Sequence, residues 1–556
     1  MDQVCLSSNS ILDTLLKTNR PLTDQDKAMI LESMAPTNAK LKVVEAQISE
    51  AMAHIEALKS QIEATEIKLQ RLHEEKAAIW ETSADHRRAL NSPIRNLPED
   101  VLREICATCV EEGPTLAYGS TPLPYILSQI SSGMRHIALT TPAVWASMTI
   151  DVNAFGYRRK LLDERAYLAL ARRASEWFER AGPGGLALMV YMEQDETVTS
   201  SILFQALLRY STRWKEIQVY SSCLSSKSMD RIAALTAADV PLLQSVSLRL
   251  VGDMPLLQNS IFLTIPTLKH IALHTDHVPK FTVNWAVLTS VTLHEKFRSH
   301  RSSQGEIARI LQQTKCLVFC NIAVGPVSAQ DYPGEIDLPF LETLFVYERH
   351  SGETSSGASS ILDLITAPVL GIFHIRERFL DFSLSEFFKR SPNIWKLSLP
   401  YLNGDKSLMD MAGLLHHCSS LTVLSLRPCE WERGVSISNR NVDNFLRAFV
   451  EETGVGATCP RLQHFRFRGG TDFSLQTLRT FLENKEGDIA TQNSLLAWKS
   501  VVISLTGIKD KEIQKQMLDF VSQKKTAGLE IDAFTREEMH HIDSHFYQWK
   551  PQASYP

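Results

Sequence analysis

The chain has 556 residues, of which 44% are hydrophobic and 22% charged, with a formal net charge of −5. Such a composition is that of a folded globular protein, not of a disordered or membrane-embedded one, and the length admits several domains or one long repeat array. Without a long Lys/Arg run there is no electrostatic footprint for nucleic acid, and nine singly scattered cysteines suggest reduced thiols in a cytoplasmic or nuclear protein.

Residues 1–35 read as a flexible arm with one short helix around Ile11 to Lys17, closed off at Pro36. The start lacks the basic and apolar blocks of a signal peptide, and no later stretch approaches the roughly 20 apolar residues of a membrane span. Residues 36–90 then show apolar positions in alternating steps of three and four: Leu41, Val44, Ile48, Ala51, Ile55, Leu58, Ile62, Leu69, Leu72 and Ile79. Only Thr65 and Lys76 interrupt this heptad seam, and the flanks carry Glu, Lys, Gln and Arg, the pattern of a coiled coil. At about 1.5 Å per residue the stretch would form a rod of roughly 60 Å. Residues 41–79 could pair two chains in self-association, or the helix could pack on its own chain.

A break at Asn91-Ser92-Pro93 opens a compact segment, 91–150. Pro98 fits a first helical turn, and Glu99 and Asp100 complement the positive end of a helix dipole. Val101, Leu102, Ile105 and Cys109 make one apolar face, and a Gly/Pro/Ser/Thr-rich loop from Gly113 to Pro124 ends the element. A second helix is predicted through Ile126, Leu127, Ile130, Met134, Ile137 and Ala138, stopped by Thr141-Pro142 before Val144 and Trp145.

These residues resemble an F-box of the type found in large fungal F-box families. The matching fragments are Pro93-Ile94-x-x-Leu97-Pro98-Glu99-Asp100-Val101-Leu102-x-x-Ile105, then Ile126-Leu127-Ser128-Gln129-Ile130, Arg135-x-Ile137-Ala138 and Thr141-Pro142-x-x-Trp145. Met134 stands where the family usually has Trp, a replacement that a flexible apolar side chain can fill. The resemblance implies docking on the Skp adaptor, and through it on a cullin ligase of the SCF type. It assigns the contact to Leu97, Pro98, Val101, Leu102, Ile105, Ile126, Leu127 and Ile130, some of which must instead hold the small domain together.

From 151 to 530 a spaced pattern recurs, apolar-x-x-apolar-x-apolar, whose last two positions point to one side of a short strand. Clear copies are Leu243/Val246/Leu248, Leu268/Ile271/Leu273, Leu288/Val291/Leu293, Leu341/Leu344/Val346, Leu370/Phe373/Ile375, Ile394/Leu397/Leu399, Leu421/Leu424/Leu426 and Leu462/Phe465/Phe467. Weaker ones start at Gly185, Trp214, Leu317 and Trp498. Starts from Gly185 to Leu421 are about 20 to 30 residues apart and match leucine-rich repeats, so the expected fold is α/β: an irregular leucine-rich-repeat-like solenoid, strand plus helix per repeat, behind a small helical F-box and a long N-terminal coiled-coil helix. Pro precedes the first apolar residue by two positions in six copies, where it can open a strand. Ser351 to Ser360 reads as a loop, and 531–556 as a C-terminal tail.

The positions between the inward ones should face the concave side that solenoids offer to partners. They include Arg249, His274, His294, Arg376, Arg427, Arg466 and Arg468, with His270, His374, Lys396 and His464, against one acid, Glu216. This bias predicts a protein substrate that is acidic or phosphorylated, held by Arg forks.

No catalytic, cofactor or metal site is expected. Cys106-x-x-Cys109 lacks a second ligand pair, His541 and His545 lack the Glu of HExxH, and Gly454-Val455-Gly456 lacks a third glycine. The expected function is therefore non-enzymatic: substrate recognition within a ubiquitin ligase. The alternative is a coiled-coil and repeat scaffold without a ligase role.

Overall fold

The structure, a computed structural model, describes residues 13, 15–18, 20–90, 97–110, 113–117, 120–152, 164–192, 198–221, 227–250, 255–275, 278–294, 302–325, 334–348, 360–375, 384–401, 411–428, 440–450, 459–468, 471–486, 495–505, 508 and 510–534. The chain divides into two units, residues 1–98 and 99–556.

The first unit is dominated by one α-helix, Asp24–Leu90, of 67 residues. It starts twelve residues before Pro36, so residues 24–35 of the expected arm belong to the helix and the rod does not begin where proline stands. The reason lies at its N-terminus. The hydroxyl of Thr23 accepts from the Asp26 N–H at 3.3 Å, while the Asp26 carboxylate accepts from the Thr23 N–H at 3.1 Å, a reciprocal cap. The Thr23 hydroxyl, the Thr23 N–H and Arg20 together hold the Asp26 carboxyl below the usual carboxylate range. With Ala, Met, Leu, Glu and Lys filling the first turns, this outweighs the roughly 3 kcal/mol cost of an internal proline. Residues 13 and 15–17 are also helical, within the short helix expected there.

The second unit is built on a sheet of fifteen strands, all parallel and paired in chain order. They are Thr115–Leu116, Ser147–Asp151, Leu186–Met192, Trp214–Ser221, Ser245–Leu250, His270–His274, Ser290–His294, Phe319–Val324, Thr343–Glu348, Ile372–Ile375, Lys396–Tyr401, Val423–Pro428, His464–Phe467, Ser500–Ser504 and Glu530–Phe534. Each predicted apolar triple supplies one strand, and its residues are buried apart from the half-buried Gly185. The register stacks them into rows: Val246 against Ile271, then Val291, Cys320, Leu344, Phe373, Leu397, Leu424, Phe465, Val501 and Ile531. A parallel ladder can hold such rows only because each strand is displaced from the last by one complete crossover.

The crossovers are less regular than strand plus helix. True helices occupy several, among them Glu164–Arg180, Gln304–Gln313, Leu475–Glu483 and Lys511–Thr526. Between His270–His274 and Ser290–His294 the described residues form 3-10 turns, Val278–Lys280 and Trp285–Val287. The prolines do not open strands. In five of the six copies the first apolar residue donates its N–H to the carbonyl three residues back, as Leu243 does to Val240 and Leu462 to Cys459. Pro therefore sits at the second position of a β-turn, where its fixed φ is an advantage and its missing N–H costs nothing.

Two expected boundaries shift. The strands Thr115–Leu116 and Ser147–Asp151 pair with each other, which brings part of 91–150 into the sheet, and Glu530–Phe534 runs past residue 530 into the expected tail. The predicted second helix is two, Leu123–Ile130 and Ser132–Thr140, because Ser131 is extended (φ −159°, ψ 169°) and its side chain caps the Met134 N–H. Among the described residues, no helix is long and apolar enough to cross a membrane.

Candidate functional site

The helical segment that follows Pro98 is built on three elements, Glu99–Cys109, Leu123–Ile130 and Ser132–Thr140. Arg103 fastens the first to the end of the third: its Nη1 donates to the Thr140 carbonyl and the Thr141 hydroxyl, both at 2.9 Å. Trp145 fastens the third to the sheet unit. Its Nε1 donates to the Ala138 carbonyl at 2.7 Å, and its ring meets Tyr125 edge-on at 5.4 Å and Trp177 at 5.0 Å. Arg180 lies over both the Trp145 and Tyr125 rings, 4.8 and 5.5 Å from their centroids. An aromatic and cationic knot on the helix Glu164–Arg180 thus sets the orientation of the whole segment.

With that orientation the eight residues expected at an adaptor contact separate. Val101, Ile105, Ile126 and Ile130 are exposed, at 39, 42, 46 and 61%. Leu127 is 7% exposed and Leu102 packs against the core, so these two hold the segment together. Leu97 is half-buried and Pro98 exposed, while Pro93 and Ile94, which open the resemblance, lie outside the described residues. Leu123 and Leu139 are also exposed, and sequence reasoning passed over both because neither sits in a fragment of the motif. Cys106 is buried and Cys109 exposed, so the CxxC does not converge.

A second surface is the sheet face opposite the buried rows. Strand alternation places Arg249, His274 and His294 next to one another on three adjacent strands. Arg249 covers the Tyr220 ring at 5.4 Å, the His274 and His294 rings stack at 5.5 Å, and the Tyr347 ring meets His294 edge-on at 4.6 Å. Nε2 of His294 bonds Oδ1 of Asn321 at 2.8 Å. Farther along, Nη2 of Arg427 donates to Nε2 of His374 at 3.0 Å and to the Ile375 carbonyl at 2.8 Å. Arg466 lies in register with Ser425 and Val502, and the Arg468 carbonyl accepts from the Tyr401 hydroxyl. Arg376 lies outside the described residues, as do His541, His545 and Gly454-Val455-Gly456.

The basic character of this face is narrower than residue counting implies. His274 is held down at about 4 by burial first, then by His294 and Arg249. Burial likewise lowers His270 and His464, so these three are neutral near pH 7. The strand Glu530–Phe534 adds two acids in register with this face, Glu530 beside Ser500 and Asp532 beside Val502. Positive charge is thus concentrated at Arg249 and at the group Lys396, Arg427, Arg466 and Arg468, separated by the uncharged Asn321, Phe345 and Tyr347. Asn321, Phe345 and Tyr347 are the site residues a search for charge misses; their signal is the period-two spacing of the strands, which puts them in the same rows.

No family model matches the chain, and none of the curated proteins matches it.

Proposed function

We propose that this chain is the substrate-recognition subunit of an SCF-type ubiquitin ligase, with an F-box at residues 91–150 that binds the Skp adaptor. In this reading the sheet unit is a leucine-rich-repeat-like solenoid whose exposed face holds a protein substrate. The chain contributes no catalysis; it raises the effective concentration of the substrate near the conjugating enzyme.

One observation carries the reading: four large apolar side chains at positions the F-box resemblance assigns to the adaptor stand uncovered on a segment otherwise pinned by Arg103 and Trp145. Exposed aliphatic residues on a rigid helical support are what a hot-spot contact requires. For the solenoid, the support is the chain-order pairing of strands that start about 20 to 40 residues apart.

The test is a pull-down of purified Skp adaptor by the full chain and by Ile126→Glu/Ile130→Glu. Because both isoleucines are exposed, the variant folds; adaptor binding is expected to fall about 30-fold or more, the cost of losing a hot spot. Equal capture by both chains, or none by the folded parent, overturns the assignment. On the substrate side, Arg249→Glu/Arg468→Glu should abolish retention of phosphorylated peptides on a peptide array. Unchanged retention would remove the charged face as the determinant.

A further inference from the structure

The long helix presents its heptad seam to solvent: Leu41, Val44, Ile48, Ile55, Leu58, Ile62, Leu69, Leu72 and Ile79 are each 44–57% exposed. A stripe of this length and apolarity is stable in water only against another surface, and three features identify which one.

The first is the choice of residues within the repeat. With Leu41 at position a, the a positions are Leu41, Ile48, Ile55, Ile62, Leu69 and Lys76, and the d positions are Val44, Ala51, Leu58, Thr65, Leu72 and Ile79. β-Branched Ile at three central a positions, Ile48, Ile55 and Ile62, with Leu58 at the d position between two of them, favours two parallel strands over three or four.

The second is where the polar residues fall. In a parallel, in-register pair each a faces its own copy and each d its own copy, so Thr65 meets Thr65 and Lys76 meets Lys76. Centred antiparallel pairing would set Thr65 against Ile55 and Lys76 against Val44, burying a polar group on an apolar one in four layers instead of keeping it in two. Thr65 is already satisfied within its helix, its hydroxyl donating to the Ile62 carbonyl at 2.7 Å and to Gln61 at 3.0 Å. It can therefore enter a dry layer without orphaning a donor. A single Lys at one a position is a device that fixes register at a cost in stability.

The third is charge at the flanks. Parallel pairing puts Lys40 at g against Glu45 at e of the other chain, twice per dimer, and at none of the g and e positions does it face an Asp or Glu with another acid or a Lys or Arg with another. Antiparallel pairing would place Lys59 beside its own copy near the two-fold axis.

We infer that residues 41–79 pair with the same residues of a second copy as a two-stranded, parallel, in-register coiled coil. Residue 90 of both chains then lies at the same end of the rod, and the two sheet units leave it together, so one dimer offers two binding faces to one multivalent partner. The inference is independent of the adaptor reading and holds for a ligase subunit or a scaffold.

Sedimentation equilibrium of the full chain at micromolar concentration should give twice the 62.6 kDa of one chain. Ile55→Glu/Ile62→Glu sets like charges face to face in two layers and should weaken association about 100-fold or more, giving a monomer whose sheet unit keeps its cooperative urea transition. Orientation is read with Thr65→Cys, a change that leaves the seam apolar. A disulfide needs Cα atoms about 4.4–6.8 Å apart, so mild oxidation should link this variant to itself, beyond any band the parent chain forms. A monomeric parent, a trimer or tetramer, or a dimer untouched by the glutamates overturns the proposal. So does cross-linking that appears only when Thr65→Cys is mixed with Ile55→Cys, the antiparallel result.

Discussion

Phe465→Ala is expected to destabilise the sheet unit by about 3–5 kcal/mol, the loss for deleting a fully buried aromatic side chain. Phe465 is 0% exposed and lies in the row between Leu424 and Val501. Its ring is packed against Phe481 at 5.0 Å, Phe449 at 5.5 Å and Trp498 at 6.2 Å. These partners come from the crossovers on either side of the strand and cannot close on the cavity, because each is also engaged elsewhere, Phe449 with Phe445 and Trp498 with Phe481. Phe340→Ala is the matched control. That ring is 58% exposed, so the same substitution there should change stability by no more than about 0.5 kcal/mol. Urea unfolding of both variants by tryptophan fluorescence measures the contrast, and equal midpoints would mean that the strand rows are not the core.

The second large effect is a pH dependence that is hidden in the parent chain. Glu348 ends the strand Thr343–Glu348 and is 3% exposed; its carboxylate accepts from the Ser360 hydroxyl at 2.6 Å and the Ile361 N–H at 3.1 Å. Burial outweighs these bonds and pushes it up to about 7, with Asp363 adding to the rise. Between about 4.5 and 7 the folded chain keeps a proton that the unfolded chain has released, so stability falls with rising pH, by about 3 kcal/mol across the window. His274 has the opposite sign. Held near 4, it is neutral in the folded chain while the unfolded imidazole binds a proton up to about 6.5, so its contribution rises with pH over the same range. The slopes oppose one another in the parent. Glu348→Gln should therefore show stability increasing from pH 4.5 to 6.5, and His274→Asn should show it decreasing, both read as urea midpoints at several pH values. Parallel profiles for the two variants would be inconsistent with both buried groups.

Much of the architecture was legible because it rests on short periods. The rows of the sheet follow from apolar residues spaced two apart, and the long helix from steps of three and four, both of which survive without knowledge of tertiary neighbours. The features that were not legible depend on local competition or distant partners. Pro36 reads as a stop, yet Thr23 and Asp26 had already started the helix. Ser131 sits in an apolar run that reads as one helix, yet its side chain begins a new one. The strand Thr115–Leu116 has only two residues, too few for any period, and exists because Ser147–Asp151 offers it an edge. At the candidate sites, spacing placed Leu102 and Val101 in one apolar group, and only the packing of Ser132–Thr140 against the first helix decides that Leu102 turns in and Val101 out. Histidine charge was illegible for the same reason, since burial and neighbouring cations set it.

The chain-order pairing of the sheet also bears on how the protein is made. Every strand of the fifteen-stranded sheet pairs with the strand of that sheet that left the ribosome before it, and none waits for a partner from the far end of the chain. Loop closure is therefore short at every step, and the unit can lengthen as translation proceeds, with the exposed edge of the nascent sheet serving as template for the next turn. The last strand among the described residues, Glu530–Phe534, carries Glu530 and Asp532, charges that discourage a strand of another copy from adding. A messenger truncated near its end would accordingly yield a sheet that is folded but unterminated, and prone to join its edge to that of another copy.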